Sequence, residues 1–256
     1  LTLFQRGRSG AQLTPEGKAL LPEVESALAA VASIGQQAQT LARGFRSLRL
    51  AAIPTMAPYL LPIAVQSLHQ QRPELHLTVA ELRTADLTRA LIRGEVDLGL
   101  LSPPVTEPAL EQQVVATDRF FLAVSARHRL AQRKSVALEE IAEEPVLLLE
   151  EGHCLRGQAL ELCQLSGLSQ THDVQAAGLS TVCQMVAAGQ GVTLLPKSAV
   201  AGEAHPGRGV VALPIKGGQA SRQVGFVWRS SAAHAGELAK LSSGLGKALS
   251  QALNAR

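Results

Sequence analysis

Two cysteines, Cys154 and Cys163, are the residues of this sequence that combine reactive side chains with a suggestive spacing. His153 stands directly before the first cysteine, and Arg156 follows it by two positions. A cysteine reacts as its thiolate, and nearby cations or the N-terminal amides of a helix favour that charged form. The pattern therefore predicts that Cys154 is the reactive member of a thiol switch.

The spacing of these cysteines limits how they can pair. They are nine positions apart (163 − 154), which in a continuous helix means a rotation of about 900° and a rise of roughly 13 Å. A disulfide requires Cα atoms within about 7 Å, so a bond would need the intervening segment to unwind. Oxidation would then change the shape of the protein. The alternative is that both are small buried hydrophobic residues of an apolar helix, as we expect for Cys183.

The composition and the absent motifs exclude several classes of protein. The chain has 256 residues, 46% of them hydrophobic, and a net charge of +3, which is typical of a soluble protein of about two domains. It shows no signal peptide and no membrane span, so we expect a cytoplasmic location, where a disulfide would be transient. It also has no glycine-rich nucleotide-binding motif, HExxH or GxSxG, and its cysteine spacing does not suit zinc. We expect neither a metal nor a cofactor.

The N-terminal part is predicted to be a short hairpin followed by a long helix that ends near Gly44. Thr14 can cap this helix, while Pro15 and Glu16 suit its first turn. Its apolar residues recur at steps of three and four, which predicts pairing with a second copy of the chain. These residues are Leu21, Val24, Leu28, Val31, Ile34, Ala38 and Leu41.

From Leu48 onward, short β-like runs alternate with helical stretches, which indicates α/β architecture. The predicted strands cover 48–53, 75–82, 97–101, 120–125, 145–149, 192–195, 210–213 and 223–228. The predicted helices cover 58–71, 84–93, 180–188 and the stretch from about 233. Thr55 and Thr84 lie at strand-to-helix turns, where open α/β sheets bind ligands. Each is either a ligand contact or the cap of the helix that follows.

Four longer motifs stand out in the sequence. They are Leu3–Arg6 with Leu13–Gly17, Ile53–Pro62, Glu151–Arg156 with Cys163, and Met185–Pro196. Together they resemble motifs of LysR-type transcriptional regulators, and among them the hydrogen-peroxide-sensing OxyR family. The resemblance covers nearly the whole chain.

The resemblance implies a wing remnant of a winged helix-turn-helix at residues 1–14 and a linker helix, the dimerisation element, at 15–44. Two Rossmann-like subdomains like those of a type 2 periplasmic binding protein would follow. The first would comprise 47–118 with 222–256, and the second 119–221 with the redox cysteines. The chain is then expected to be a regulator that lacks most of its helix-turn-helix, so that Arg6 and Arg8 contribute only weak contacts to the DNA backbone.

The same resemblance assigns the site residues and the partners. Cys154 would be the peroxidatic cysteine and Cys163 the resolving one. Peroxide and the reduced thiol would be surrounded by Thr55, Thr84, His153, Arg156, His172 and Arg229. Gly157 departs from the family, which usually has Asp there. Expected partners are promoter DNA, hydrogen peroxide, a glutaredoxin- or thioredoxin-type reductant, RNA polymerase and further copies of the chain.

Three other functions fit parts of the pattern. A LysR-type regulator could sense a small organic anion between its subdomains, in which case the cysteines would be incidental. A solute-binding protein would share the α/β architecture, although the segment before residue 44 counts against it. A thiol peroxidase would consume peroxide continuously, whereas we expect a sensor that is not an enzyme.

Overall fold

The computed structural model of the chain describes residues 1–7, 10–43, 45–142, 144–165, 171–176, 178–217 and 220–255. The α-helices among these residues are α1 (Pro15–Arg43), α2 (Ala57–Gln71), α3 (Thr84–Ile92), α4 (Cys154–Leu165), α5 (Leu179–Ala187), α6 (Lys197–Glu203) and α7 (Ala235–Asn254). None of them is both long and apolar enough to cross a membrane.

The strands of the described residues are β1 (Phe4–Gly7), β2 (Gly10–Leu13), β3 (Ser47–Ala52), β4 (His76–Glu81), β5 (Leu98–Leu101), β6 (Leu110–Ser125), β7 (Val146–Leu149), β8 (Thr171–Ala176), β9 (Thr193–Pro196), β10 (Val210–Pro214) and β11 (Ser221–Arg229). Strands and helices alternate along most of the chain, which confirms the α/β class predicted from the sequence.

The N-terminal hairpin and the long helix form as predicted. β1 and β2 pair in antiparallel fashion, and the Thr14 hydroxyl caps α1 by accepting a hydrogen bond from the Gly17 amide at 3.0 Å. Of the apolar stripe, the side chains that the structure describes stay at the surface, with Val31 and Ile34 66% and 67% exposed, whereas the side chains of Ala38 and Leu41 lie outside the described residues. α1 is described as far as Arg43, so the predicted end at Gly44 lies outside the described residues.

Parallel strands form the centre of the first half of the protein. β3 pairs in parallel with β4 on one side and with β5 on the other. α2 and α3 follow β3 and β4 in the chain and confirm the helices predicted at 58–71 and 84–93. Both helices therefore begin at the carboxyl edge of the sheet, where ligands bind in open α/β folds.

β6 links the first half of the protein to the second. Residues 110–119 of this strand pair with β11, whereas 120–125 pair with β9 and β10. The buried apolar residues separate in the same way, because one core draws on 48–101 and 224–253 and two others draw on 120–213. Asp118 and Arg222 are register partners on β6 and β11, so they lie where the chain passes between the halves.

Candidate functional site

Cys154 is the first residue of α4, directly after the loop that follows β7. Its side chain is partly buried and packs against the core of the first half, although α4 belongs to the second half of the chain. The opposite face of α4 packs into the second half, where Leu155 and Ala159 are buried. The sulfur therefore lies at the boundary between the halves.

The environment of Cys154 contains opposing influences on its pKa. Burial raises the pKa of the thiol above its ordinary value. The Arg222 guanidinium, the Thr84 hydroxyl and the amides of Leu155 and Cys154 itself oppose this effect. The expected contribution of the helix N-terminus is therefore present, but the net pKa is raised, because burial is the largest influence. The Cys154 thiol is therefore shielded from solvent, but its neighbours still stabilise the negative charge of the thiolate.

Arg222 is the centre of a buried polar cluster that joins the halves. Its guanidinium donates to the Asp118 carboxylate from Nε at 3.1 Å and from Nη2 at 3.0 Å, and both side chains are fully buried. It also donates to the Thr55 hydroxyl at 2.9 Å and to the Thr55 carbonyl at 3.0 Å. Asp118 is held in turn by the amide and the hydroxyl of Ser198, at 3.0 and 2.7 Å.

These contacts exclude the helix-cap alternative for the two threonines. The residue before α2 is Met56, which has no side-chain cap, and the Thr55 hydroxyl accepts a bond from Arg222. Thr84 is the first residue of α3 and contacts the Cys154 sulfur through its hydroxyl. Neither threonine serves as the helix cap: Thr84 contacts the sulfur itself, and Thr55 is bound to Arg222, which acts on the thiol.

His153 is buried beside Glu150 and lacks a strong partner. Its side chain is 2% exposed, and its Nε2 lies 3.8 Å from Glu150 Oε1, beyond hydrogen-bond distance. Burial lowers the pKa of His153, and the nearby Arg83 guanidinium lowers it further. The imidazole is therefore neutral near pH 7, so the positive charge close to the thiol comes from Arg222.

Two further residues of α4 hold the helix in place. Arg156 donates to the carbonyl of Leu149 at 2.9 Å, at the end of β7. Gln158 reaches across to the first half and donates to the Ser102 hydroxyl at 2.9 Å. Gly157 is exposed, and a Cβ atom built there would meet nothing within 4 Å. An acidic side chain at this position would therefore fit without a clash.

The other predicted site residues either lie away from Cys154 or have side chains outside the described part of the chain. The backbones of Cys163 and His172 lie in α4 and β8, but their side chains are outside the described part of the chain, as is Arg8. Arg6 is exposed on β1. Arg229 lies at the end of β11 opposite to Arg222, about 23 Å away for seven residues of strand.

The sequence interpretation missed Arg222, Asp118, Arg83 and Glu150. A usable signal existed for the first two, because each is a charged residue in a strand at a point where the chain was expected to cross between subdomains. For Arg83 and Glu150 no signal was available, because their pairing depends on how the halves meet. Among the described residues, no three potential metal ligands lie close enough together to hold an ion.

Comparison with known proteins identifies the family. The LysR substrate binding domain family matches residues 43–242. A probable hydrogen peroxide-inducible genes activator of Streptomyces viridosporus is 38% identical over 255 residues, which are 97% of this chain and 80% of that protein. The DNA-binding transcriptional dual regulator OxyR of Escherichia coli is 35% identical over 222 residues, which are 87% of this chain and 70% of that protein.

Comparison with solved structures points to the same group of proteins. A hydrogen peroxide-bound OxyR mutant of Corynebacterium glutamicum superimposes with a TM-score of 0.76 at 29% identity, covering 99% of this chain and 80% of that one. The reduced OxyR regulatory domain of Pseudomonas aeruginosa gives a TM-score of 0.72 at 29% identity, covering 79% of this chain and 98% of that domain. The relatives are regulators and not enzymes. The chain belongs to the LysR family of transcriptional regulators, and within that family to the OxyR group.

Proposed function

We propose that this chain is the sensing part of a transcription activator that responds to hydrogen peroxide through a reversible Cys154–Cys163 disulfide. The observation that carries the proposal is the position of Cys154. It starts a helix that also contains Cys163, and Thr84 and Arg222 stabilise its negative charge. The names of the relatives, which describe hydrogen peroxide-inducible activators, support the same conclusion.

The proposed chemistry has two steps. The Cys154 thiolate attacks one oxygen of hydrogen peroxide, the O–O bond breaks, and the released hydroxide is protonated to water, which leaves a sulfenic acid on Cys154. The Cys163 thiolate then attacks that sulfur, the S–O bond breaks, and the released hydroxide takes up a proton to give a second water. Ten residues of α4, from 154 to 163, span roughly 13 Å, so the helix must unwind before the second step.

The polar groups between the halves favour peroxide over a small organic anion as the effector. A small organic anion binds best to a cation that is not already neutralised, whereas Arg222 is bound to Asp118 and Arg83 is bound to Glu150. Peroxide is neutral and needs only a few hydrogen-bonding groups beside the sulfur. In this proposal 47–118 with 222–256 and 119–221 act as the two subdomains, and the unwinding of α4 changes how they meet.

The proposed regulator acts on promoter DNA in the cytoplasm, together with RNA polymerase, and is reset by a glutaredoxin- or thioredoxin-type dithiol. Self-association is supported by the apolar surface of α1, where Leu28, Val31 and Ile34 are 64%, 66% and 67% exposed. Replacing Leu28 and Val31 by Glu is expected to lower the mass of the assembly measured by sedimentation at micromolar concentration.

The first test is to treat the reduced protein with one equivalent of hydrogen peroxide and to map its thiols by mass spectrometry. We expect a Cys154–Cys163 bridge in the wild type and a trapped Cys154 sulfenic acid in Cys163→Ser. If both thiols stay free at micromolar peroxide, the proposal is wrong, and a small-molecule effector has to be sought instead.

A further inference from the structure

An ion pair connects the two halves of the protein close to Cys154. Arg83 precedes α3 in the first half, and Glu150 follows β7 in the second. Nη2 of Arg83 donates to Oε1 of Glu150, and the two side chains are 44% and 28% exposed. The pair is therefore formed across the boundary and remains partly accessible to water.

The Arg83 side chain also lies against one side of the loop that leads to Cys154. Gly152 has φ +90°, and a Cβ atom placed on it would lie 3.6 Å from Cδ and 3.7 Å from Nη1 of Arg83. The next residue, Thr84, contacts the Cys154 sulfur. One short segment of the first half thus lies beside residue 152 and touches residue 154.

We propose that the Arg83–Glu150 pair is a clasp that holds residues 150–153 against the start of α3 and thereby restricts Cys154 to small oxidants. The clasp determines specificity and does not take part in the reaction. When it opens, the Gln158–Ser102 bond still holds α4, so the loop before the helix moves and the helix stays. The proposal rests on the proposed function only for the identity of the oxidant.

Charge reversal tests the clasp. Arg83→Glu or Glu150→Arg converts the attraction into repulsion, and the double variant restores an ion pair of opposite polarity. The readout is the rate at which Cys154 is alkylated in the reduced protein by two uncharged reagents, N-ethylmaleimide and the bulkier pyrenyl maleimide. Each single reversal is expected to raise the bulky-to-small rate ratio about two- to fivefold, the range for a partly exposed ion pair. The double variant is expected to return the ratio to the wild-type value.

Arg89→Glu is the matched control, because Arg89 lies on α3 and pairs with Asp86 at the surface. It is expected to leave the ratio unchanged. An unchanged ratio in both single reversals, or a double variant that fails to restore it, overturns the proposal. Should a reversal prevent folding, Arg83→Gln and Glu150→Gln remove the attraction without repulsion and are expected to shift the ratio in the same direction; no shift in them also overturns it.

A parallel experiment separates this proposal from the proposed function. In the Cys163→Ser background, sulfenic acid formation at Cys154 is followed with hydrogen peroxide and with cumene hydroperoxide. The single reversals are expected to increase the relative rate of the bulky peroxide, and the double variant to reverse that increase. If the alkylation ratios change as expected but hydrogen peroxide yields no sulfenic acid, the clasp is retained and the proposed function fails.

Discussion

Cys154 and Cys183 are two shielded thiols in the same half of the protein, yet they differ in the sign of the charge that affects the pKa of each most strongly. Arg222 lies close to Cys154 and opposes the effect of burial on its pKa. Cys183 is completely buried in α5, where burial and the Glu203 carboxylate together raise its pKa to about 12. At neutral pH Cys183 therefore remains a thiol and behaves as a small apolar residue.

The two sites also differ in what surrounds the sulfur. Glu203 is fixed by the Tyr59 hydroxyl at 2.9 Å, by the Ser180 hydroxyl at 2.9 Å and by Arg208 at 2.6 Å. Cys183 thus lies beside a fully bonded cluster, whereas Cys154 starts a helix that is attached to the first half by a few polar contacts. Burial alone therefore does not separate the two thiols, whereas the charge that acts on each sulfur does, and under the proposed function Cys154 is the sensor.

The largest expected effect comes from replacing each of the two cysteines in turn. Cys154→Ser is expected to abolish peroxide-dependent disulfide formation, because a hydroxyl cannot form the sulfenic acid. Cys183→Ala is expected to leave oxidation unchanged and to cost about 1 kcal/mol of unfolding free energy, a typical value for one substitution. Thiol mapping after peroxide treatment and urea denaturation measure the two effects. Loss of the response in Cys183→Ala would show that Cys183 takes part in the oxidation and is not only a small apolar residue.

The sequence was sufficient for most of the helices and strands of the first half, and it singled out Cys154, whose reactivity stays a prediction. The caps at Thr14, the buried runs at β3 and β5, and the helix that begins at Cys154 all depend on local patterns. The first ten residues of β6 were missed, because Glu111, Gln112 and Gln113 interrupt the apolar alternation on which a strand prediction depends.

The parts of the site that the sequence could not provide are contacts between distant residues. Arg222 lies 68 positions after Cys154 (222 − 154), and only the pairing of β6 with β11 brings it to Asp118 and the thiol. His153 was expected to contribute a positive charge, but its burial makes it neutral. Burial depends on the packing of the whole chain and cannot be read from neighbouring residues.

Removing Arg222 makes the surroundings of Cys154 resemble those of Cys183. Arg222→Met leaves Asp118 as a buried carboxylate that retains only Ser198, so we expect a loss of about 3–5 kcal/mol of unfolding free energy in urea denaturation. The pKa of Cys154 should rise further, which the pH dependence of its alkylation rate measures. Arg89→Met, which breaks a surface pair, is expected to cost less than about 1 kcal/mol. Equal losses in both variants would contradict the assigned role of the buried pair.

The raised pKa of Cys183 predicts how stability depends on pH. A thiol titrates near 8.5 in the unfolded chain but at about 12 in the folded protein. The stability due to this shift is complete below the unfolded pKa and is lost as pH rises toward the folded one, because the unfolded state then releases the proton. Between about pH 8.5 and 12, wild-type unfolding free energy should fall by up to about 1.4 kcal/mol per pH unit more than that of Cys183→Ala. Parallel pH profiles from urea denaturation would contradict it.

The smallest effect is expected from Thr84, which supplies one hydroxyl to the Cys154 sulfur. Thr84→Val keeps the shape of the side chain but removes the donor, so the thiolate loses a hydrogen bond worth about 0.5–1.5 kcal/mol. The alkylation rate of Cys154 at neutral pH should fall about two- to tenfold, because the thiolate fraction falls by that factor. Thr84→Ser retains the hydroxyl and should react like the wild type. Since Cys183 has a carboxylate where Cys154 has this donor and a guanidinium, equal rates for Val and Ser would assign the difference between the thiols to Arg222 alone.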